Sequence, residues 1–174
     1  MLEKAVEAIK EGKTPNLDKP LEHGTEINLR LPALISDAYL PDVHTRLIMY
    51  KRIANARSDH QLDELRVEMI DRYGMLPEST RNLFTVTALK LKAQPLGINK
   101  IDGGPRGGRF EFSSDTNVDP LSLVKLIQSQ PQFYKLEGSD RLRFTIESES
   151  YGERLELIDQ LIDKLAPTTT RQEI

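Results

Sequence analysis

The hydrophobic pattern of this chain changes its period near Pro95 and Gly97. Before this point, apolar residues recur at helical spacing in three segments, residues 43–56, 58–73 and 77–94. After it come four short segments of strand-like pattern, residues 98–102, 109–113, 132–136 and 141–146. A helical pattern follows each pair of strand segments, first from Asp119-Pro120 and then over residues 151–165. This order predicts an α+β fold. A helical N-terminal half precedes two β-hairpin–helix units, whose strands form one antiparallel sheet of about four strands covered by helices on one face.

Residues with strong capping and turn preferences mark the ends of these elements. Ser58 is a good N-cap for the second helix, and Gly74 is suited to its C-terminal end. Pro120 falls in the first turn of a later helix, where its missing N–H costs nothing. The glycine-rich run 103–108 lies between two strand segments and is interrupted by Pro105, so it predicts a hairpin turn rather than a phosphate-binding loop.

The chain divides into four regions by composition. Residues 1–11 form an apolar helical stripe, which we expect to be the end of a helix from a preceding region; a short terminal helix packed on this domain is the alternative. Residues 12–25 contain two prolines and little apolar surface and predict a linker. Residues 26–165 form the main domain, opening with a short strand over 26–31, and residues 166–174 predict a flexible polar tail.

Composition excludes several classes of protein. The chain has 174 residues, a net charge of −3 and no cysteine, which rules out disulfides, thiolate metal sites and a cysteine nucleophile. No segment approaches the roughly 20 apolar residues of a membrane span, so we expect no membrane partner. A pI near 5.7 argues against the whole chain being a nucleic-acid binder. Nothing in the sequence demands more than a monomer.

The sequence contains no common catalytic motif. A Walker-type phosphate loop, a dinucleotide-binding GxGxxG and a GxSxG nucleophile elbow are all missing. The three histidines, His23, His44 and His60, are not spaced as metal ligands. We therefore predict no catalytic, cofactor-binding or metal-binding residues in this chain.

A candidate secondary basic patch lies in the first predicted hairpin. Arg106 and Arg109 adjoin Phe110 and Phe112, and arginine beside aromatic residues on a strand can stack nucleic-acid bases. The two phenylalanines share one face of the strand, however, and such a face usually packs in the core. The patch therefore stays an alternative, in which the chain binds nucleic acid directly.

The first two helices have predictable apolar faces. In the first, the spacing places on one side Val43, Leu47, Tyr50 and either Ile53 or Ala54. In the second, the apolar side carries Leu62, Leu65, Met69 and Tyr73.

The second helix also presents a charged side. Glu68, Asp71 and Arg72 lie away from its apolar side, and Glu68 precedes Arg72 by four residues, the orientation that favours an ion pair within a helix. One interpretation is an ordinary solvated face with such a pair. The other is a docking face that presents two acids and one arginine to a partner.

Two longer motifs resemble a known family. The run P-D-x-x-x-R-L-x-x-Y-K-R-I spans Pro41 to Ile53, and E-x-x-D-R-[FY]-G-x-L-P spans Glu68 to Pro77. Together they make residues from about Glu26 to Leu165 resemble the C-terminal domain of bacterial transcription-repair coupling factors. Residues 1–10 are similar to the end of the helical hook that follows the motor in that family.

The resemblance implies a function beyond what composition and spacing indicate. The parent would be an ATP-driven double-stranded DNA translocase of the bacterial cytoplasm. It would displace stalled RNA polymerase and recruit nucleotide excision repair through UvrA. The motor domains that precede this region in the parent would hold ATP and Mg, and this chain would hold no cofactor. The C-terminal domain would be a non-catalytic, autoinhibitory clamp on the UvrB-like module that masks the UvrA-binding surface. The family's clamp contact maps to Glu68, Asp71 and Arg72; direct binding of nucleic acid or RNA polymerase is the alternative.

Overall fold

The computed structural model describes residues 24–167. Within this range lie five α-helices, one short 3-10 helix (Gln94–Leu96) and five strands. The helices are α1 (Val43–Ala54), α2 (Asp59–Tyr73), α3 (Glu78–Ala93), α4 (Pro120–Ser129) and α5 (Tyr151–Leu165). The strands are β1 (Glu26–Asn28), β2 (Ile98–Gly104), β3 (Gly107–Phe112), β4 (Tyr134–Glu137) and β5 (Arg141–Phe144). The α+β class and the order of elements are confirmed. The predicted helix over 1–11, most of the linker and most of the tail lie outside the described residues.

The sheet is mixed rather than purely antiparallel. Its order is β1-β2-β3-β5-β4, and the last four strands are antiparallel neighbours, as predicted. Strand β1 pairs in parallel with β2, with Ile27 opposite Ile101, and adds a fifth strand at the edge. Three helices connect β1 to β2 and allow the two strands to run in the same direction. A local sequence pattern does not encode this pairing. Strand β1 ends at Asn28 rather than residue 31, just before Arg30, which has a left-handed φ of 54°.

The first hairpin is tighter than predicted. Strands β2 and β3 extend through Gly104 and from Gly107, so only Pro105 and Arg106 form the turn. Gly107 has a φ of 139°, and a Cβ there would lie 2.2 Å from the carbonyl oxygen of Phe144. Only glycine at position 107 allows the backbone of β5 to pack this closely against the start of β3, so the sheet pairing requires it.

Two hydrophobic cores lie side by side. The sheet core joins the inner face of the sheet to the 3-10 helix, α4, α5 and the C-terminal end of α3; its fully buried members include Ile101, Phe110, Leu142 and Ile158. The helical core joins α1, α2 and the N-terminal half of α3; its fully buried members include Met49, Leu62, Met69 and Phe84. The predicted apolar face of α1 is only partly right, because Met49 and Ile53 are its buried residues while Val43 is 59% exposed.

Helix α3 contributes to both cores. Phe84 belongs to the helical core, whereas Leu89 and Ala93 belong to the sheet core. An ion-pair cluster fastens the same helix to α5, since Lys92 Nζ lies 2.5 Å from Asp159 Oδ1 and 2.7 Å from Asp163 Oδ1. Burial alone would lower the pKa of Lys92, but the hydrogen bonds to Asp159 and Asp163 and the negative charges of both together outweigh it and leave the pKa raised.

The segment after β1 ties the two halves together. Arg154 of α5 is 5% exposed, and its Nη1 donates a hydrogen bond to the carbonyl oxygen of Leu29 at 2.7 Å. Asn82 Nδ2 of α3 donates to the carbonyl oxygen of Pro32 at 2.9 Å. Buried donors and acceptors are thus satisfied where the chain crosses from the sheet to the helices, which fixes the path into α1 and α2.

Because α3 is shared, damage to either core should destabilise the whole domain. Phe84→Ala should cost about 3–5 kcal/mol and Leu89→Ala about 2–5 kcal/mol in free energy of unfolding. The measurement is urea denaturation followed by circular dichroism, and each variant should show one cooperative transition at lower urea. Leu121→Ala, at a 70% exposed position, should change stability by no more than about 0.5 kcal/mol. Two separate transitions in either core variant would contradict the shared-helix description.

Candidate functional site

The candidate docking surface is built on α2, and both ends of this helix are fixed. Ser58 Oγ accepts a hydrogen bond from the N–H of Gln61 at 3.2 Å, which confirms the predicted N-cap. At the other end Gly74 has a φ of 95°, and its carbonyl oxygen accepts a hydrogen bond from Tyr39 Oη at 2.8 Å. The predicted apolar residues Leu62, Leu65 and Met69 are buried against α1 and α3. The charged side of α2 is therefore held in a fixed orientation.

Glu68 is paired mainly with a residue of another helix. Arg52 of α1 donates from Nη2 to Glu68 Oε1 at 2.9 Å and from Nη1 to Oε2, so the contact is two-pronged. Hydrogen bonds from Arg52 hold the pKa of Glu68 below its ordinary value. Hydrogen bonding to Glu68 likewise raises the pKa of Arg52. Glu68 therefore stays a carboxylate down to acidic pH.

The predicted pair within α2 is present as a secondary contact. Arg72 Nη1 lies 3.6 Å from Glu68 Oε2, farther than either nitrogen of Arg52. The Arg72 side chain is 61% exposed, whereas that of Glu68 is 33% exposed. Asp71 is exposed and forms no ion pair within residues 24–167. The structure thus brings the three predicted residues onto one surface but leaves Asp71 and most of Arg72 open to solvent.

Apolar side chains border this charged set. Val67 precedes Asp71 by one helical turn and is 59% exposed, and Met75, the residue after the C-cap Gly74, is 78% exposed. On α1, Ile48 precedes Arg52 by one turn and is 44% exposed. We define the α2 surface as Arg52, Glu68, Asp71 and Arg72 with their apolar neighbours Ile48, Val67 and Met75. Charged groups beside exposed apolar ones are typical of protein interfaces.

Arg52 is the member of this surface that sequence analysis missed. Spacing within one helix finds Glu68 and Arg72 because they are four residues apart, but Arg52 lies sixteen residues before Glu68 and on another helix. Placing the core side of α1 on Met49 and Ile53 would have put Arg52 next to that core. The predicted apolar face, on Val43 and Leu47, gave no indication that Arg52 lies beside the core.

The secondary basic patch belongs to the sheet half of the fold. Phe110 and Phe112 are 0% and 6% exposed and pack in the sheet core, so neither can stack a base. Arg106 is exposed in the hairpin turn, and Arg109 lies on the sheet face opposite the core. Arg106 and Arg109 therefore lie in the sheet half of the fold, whereas Glu68 lies in the helical half.

Among the residues that the structure describes, no group of three or more histidine, aspartate or glutamate side chains could hold a metal ion. No helix in this part of the chain has the length and apolar character needed to cross a membrane.

The TRCF domain family model matches residues 29–123, which is more than half of the chain. The chain belongs to the TRCF domain family. It is 42% identical over 95% of its length to the transcription-repair-coupling factor of Escherichia coli, and 43% identical over 95% to that of Haemophilus influenzae. It spans only 14% of the length of each.

A solved structure supports the fold of this TRCF domain. The crystal structure of the C-terminal domain of a transcription-repair coupling factor superposes with a TM-score of 0.69, covering 82% of this chain and 91% of that one. The sequence identity in this match is 20%, so it establishes the architecture alone.

The Arg52 contact should make stability depend on the charge of Glu68. The pKa of Glu68 is lower in the folded chain than its ordinary value of 4.5, so the contact stabilises above that pH and is lost as pH falls through the folded pKa. Glu68→Gln should therefore lower stability by about 0.5–1 kcal/mol at pH 7, the upper range for exposed pairs. The gap to wild type should narrow as the pH falls below 4.5 and close once the pH is below the folded pKa of Glu68, as measured by urea denaturation across pH.

Glu147→Gln serves as the control, because Glu147 is exposed and has no hydrogen bond or ion pair among the described residues. It should show no pH-dependent gap. A Glu68→Gln gap that is constant from pH 7 to pH 3 would contradict the charged-pair explanation.

Proposed function

We propose that this chain is the regulatory, autoinhibitory C-terminal domain of a transcription-repair coupling factor. In this proposal it packs through the α2 surface on a UvrB-like module of the same protein, masks the surface that binds UvrA, and restrains the translocase. The family match and the C-terminal-domain fold support the placement in a coupling factor. The chain itself contributes docking and no catalysis.

One observation carries the proposal of docking. Glu68, Asp71 and Arg72 lie together on the same surface of a rigidly held helix, and Asp71 has no ion pair within the described residues. An interface that used these groups would offer acceptors to basic side chains of the partner and one donor to an acidic side chain. Such charge-assisted contacts determine specificity and release more than raw affinity.

The three residues would have different roles in that contact. Both carboxylate oxygens of Glu68 already accept hydrogen bonds from Arg52, so an incoming basic group must share them. Asp71 is free to accept from a partner directly. We therefore assign the main acceptor role to Asp71, with Glu68 as a preoriented second acceptor and Arg72 as the donor.

The exposure of these groups suits a contact that must open. Their side chains are partly solvated before docking, so the loss of this water on docking offsets much of the Coulombic gain and keeps the net affinity modest. Contacts between such charges weaken as salt rises. A switch requires two states of similar free energy, and a modest, salt-sensitive interface meets that requirement.

The remaining functions concern the whole parent protein. We propose that it is an ATP-dependent double-stranded DNA translocase of the bacterial cytoplasm, with ATP and Mg held by motor domains that precede this chain. RNA polymerase and UvrA would meet the parent rather than this domain. Residues 12–25 would tether the domain and keep its local concentration high when it is released.

The docking proposal is tested by calorimetric titration of this chain against the separately purified UvrB-like module. Wild type should bind, and a Glu68→Ala, Asp71→Ala, Arg72→Ala variant should bind at least about tenfold more weakly, because several charge-assisted contacts are lost together. Binding by wild type should also weaken as NaCl is raised. Circular dichroism checks that each variant is folded.

A matched control removes two acids and one base from the sheet half, at the exposed positions Glu156, Asp140 and Lys164. This variant has the same net charge as the α2 variant and should bind like wild type. Equal binding by the α2 variant and wild type would contradict the assignment of the contact to α2. Failure of wild type to bind, with tight salt-dependent binding to duplex DNA instead, would favour the nucleic-acid alternative.

A further inference from the structure

The outer face of the sheet carries a row of three basic residues on adjacent strands. Arg109 of β3 lies opposite Arg143 of β5, and Arg143 lies opposite Lys135 of β4. These positions alternate with the buried residues Phe110, Leu142 and Phe144, so the three side chains lie on the face away from the sheet core. We call Arg109, Arg143 and Lys135 the basic row.

Like charges placed directly opposite one another on a sheet are destabilising. The basic row contains two such juxtapositions in succession, and none of its members forms an ion pair or a hydrogen bond through its side chain within residues 24–167. Asp102 lies opposite Arg109 on β2 but is not within salt-bridge distance of it. Asp102 is thus the one acidic residue opposite a member of the row, and no ion pair within the described residues compensates the charges of the row.

The neighbouring row on the same face shows the opposite arrangement. Its residues alternate in sign across the sheet: Glu26, Lys100, Glu111, Arg141 and Glu137. Arg141 Nε lies 3.7 Å from Glu111 Oε1, so this row contains an ion pair of its own. The contrast between the two rows indicates that the charges of the basic row are not explained by stability of the sheet.

We propose that the basic row is a docking site for an extended acidic segment, rich in Asp and Glu, of a partner protein. Strands lie about 4.8 Å apart, so the row is about 10 Å long, the length of three or four extended residues. Arginine binds carboxylates through two parallel hydrogen bonds, and the row offers two arginines and a lysine. Arg106, exposed in the adjoining turn, can extend the contact at one end.

The charge pattern favours a narrow protein segment over nucleic acid. The two rows and Asp102, which lies opposite Arg109, together contain five basic and four acidic residues, so a broad ligand that covers them all meets almost no net positive charge. Duplex DNA is such a broad ligand, because the width of its major groove alone, about 12 Å, exceeds the length of the basic row. Neither row contains an aromatic residue on which a single strand could stack. A narrow acidic segment meets the basic row alone.

The test measures binding of a fluorescein-labelled hexaglutamate peptide to the 174-residue chain by fluorescence anisotropy at low salt. Wild type should bind this peptide and not a hexaglutamine peptide. An Arg109→Gln, Arg143→Gln, Lys135→Gln variant should bind at least about tenfold more weakly. The same substitutions should leave the Tm unchanged or raise it by roughly 1–3 °C, because they remove repulsion.

The matched control is Lys51→Gln, Lys125→Gln, Lys164→Gln, which removes three exposed positive charges from helices α1, α4 and α5. This control should bind the peptide within about twofold of wild type. Equal weakening in both variants, or equal binding of the two peptides, would overturn the proposal. A basic-row variant with a clearly lower Tm would show that the row is structural. Binding of a 20-base-pair duplex that is lost in the basic-row variant would assign the row to nucleic acid instead.

Discussion

Helix α3 is the constraint on which the rest of this structure depends. Its N-terminal half fills the helical core through Phe84, and its C-terminal end enters the sheet core through Leu89 and Ala93. Lys92 binds α5 from the same helix, and Asn82 satisfies a carbonyl where the chain crosses between the halves. No other helix in the described part of the chain supplies residues to both cores. The helical half that carries the α2 surface is therefore positioned relative to the sheet that carries the basic row.

The α2 surface combines a preoriented acid with freer charges. Arg52 holds the carboxylate of Glu68 in one orientation and keeps it ionised, while Asp71 and Arg72 stay accessible. A partner that approaches this surface meets a partly satisfied charge set, which limits the affinity but makes the geometry specific. In the proposed clamp, this balance would allow docking while the domain is tethered and release when another state of the parent is favoured. Tyr39 contributes indirectly, because its hydroxyl fixes the end of α2 beside Met75.

Local features of the fold could be predicted from the sequence, and contacts between distant segments could not. The caps at Ser58, Gly74 and Asp119-Pro120 follow from short-range chemistry, and the structure has all of them. The antiparallel hairpins follow from alternation and adjacent turns. Strand β1 joins the sheet in parallel across three helices, so no local signal assigns its neighbour. The same limit applies to the sites: Glu68 and Arg72 share one helix and were predicted as a pair, whereas Arg52 and the cross-strand register of Arg109, Arg143 and Lys135 require the tertiary structure.

The central claim is that docking uses the α2 surface. The most direct measurement is nuclear magnetic resonance of the isotope-labelled chain during titration with the unlabelled UvrB-like module. The chain's mass of 19.8 kDa is suitable for this method. The backbone signals of Glu68, Asp71 and Met75 and the side-chain Nε–H signals of Arg52 and Arg72 should shift together and saturate at one binding constant. The signals of the outer sheet face should stay in place. Saturable shifts confined to the outer sheet face, with the α2 signals unchanged, would contradict the claim.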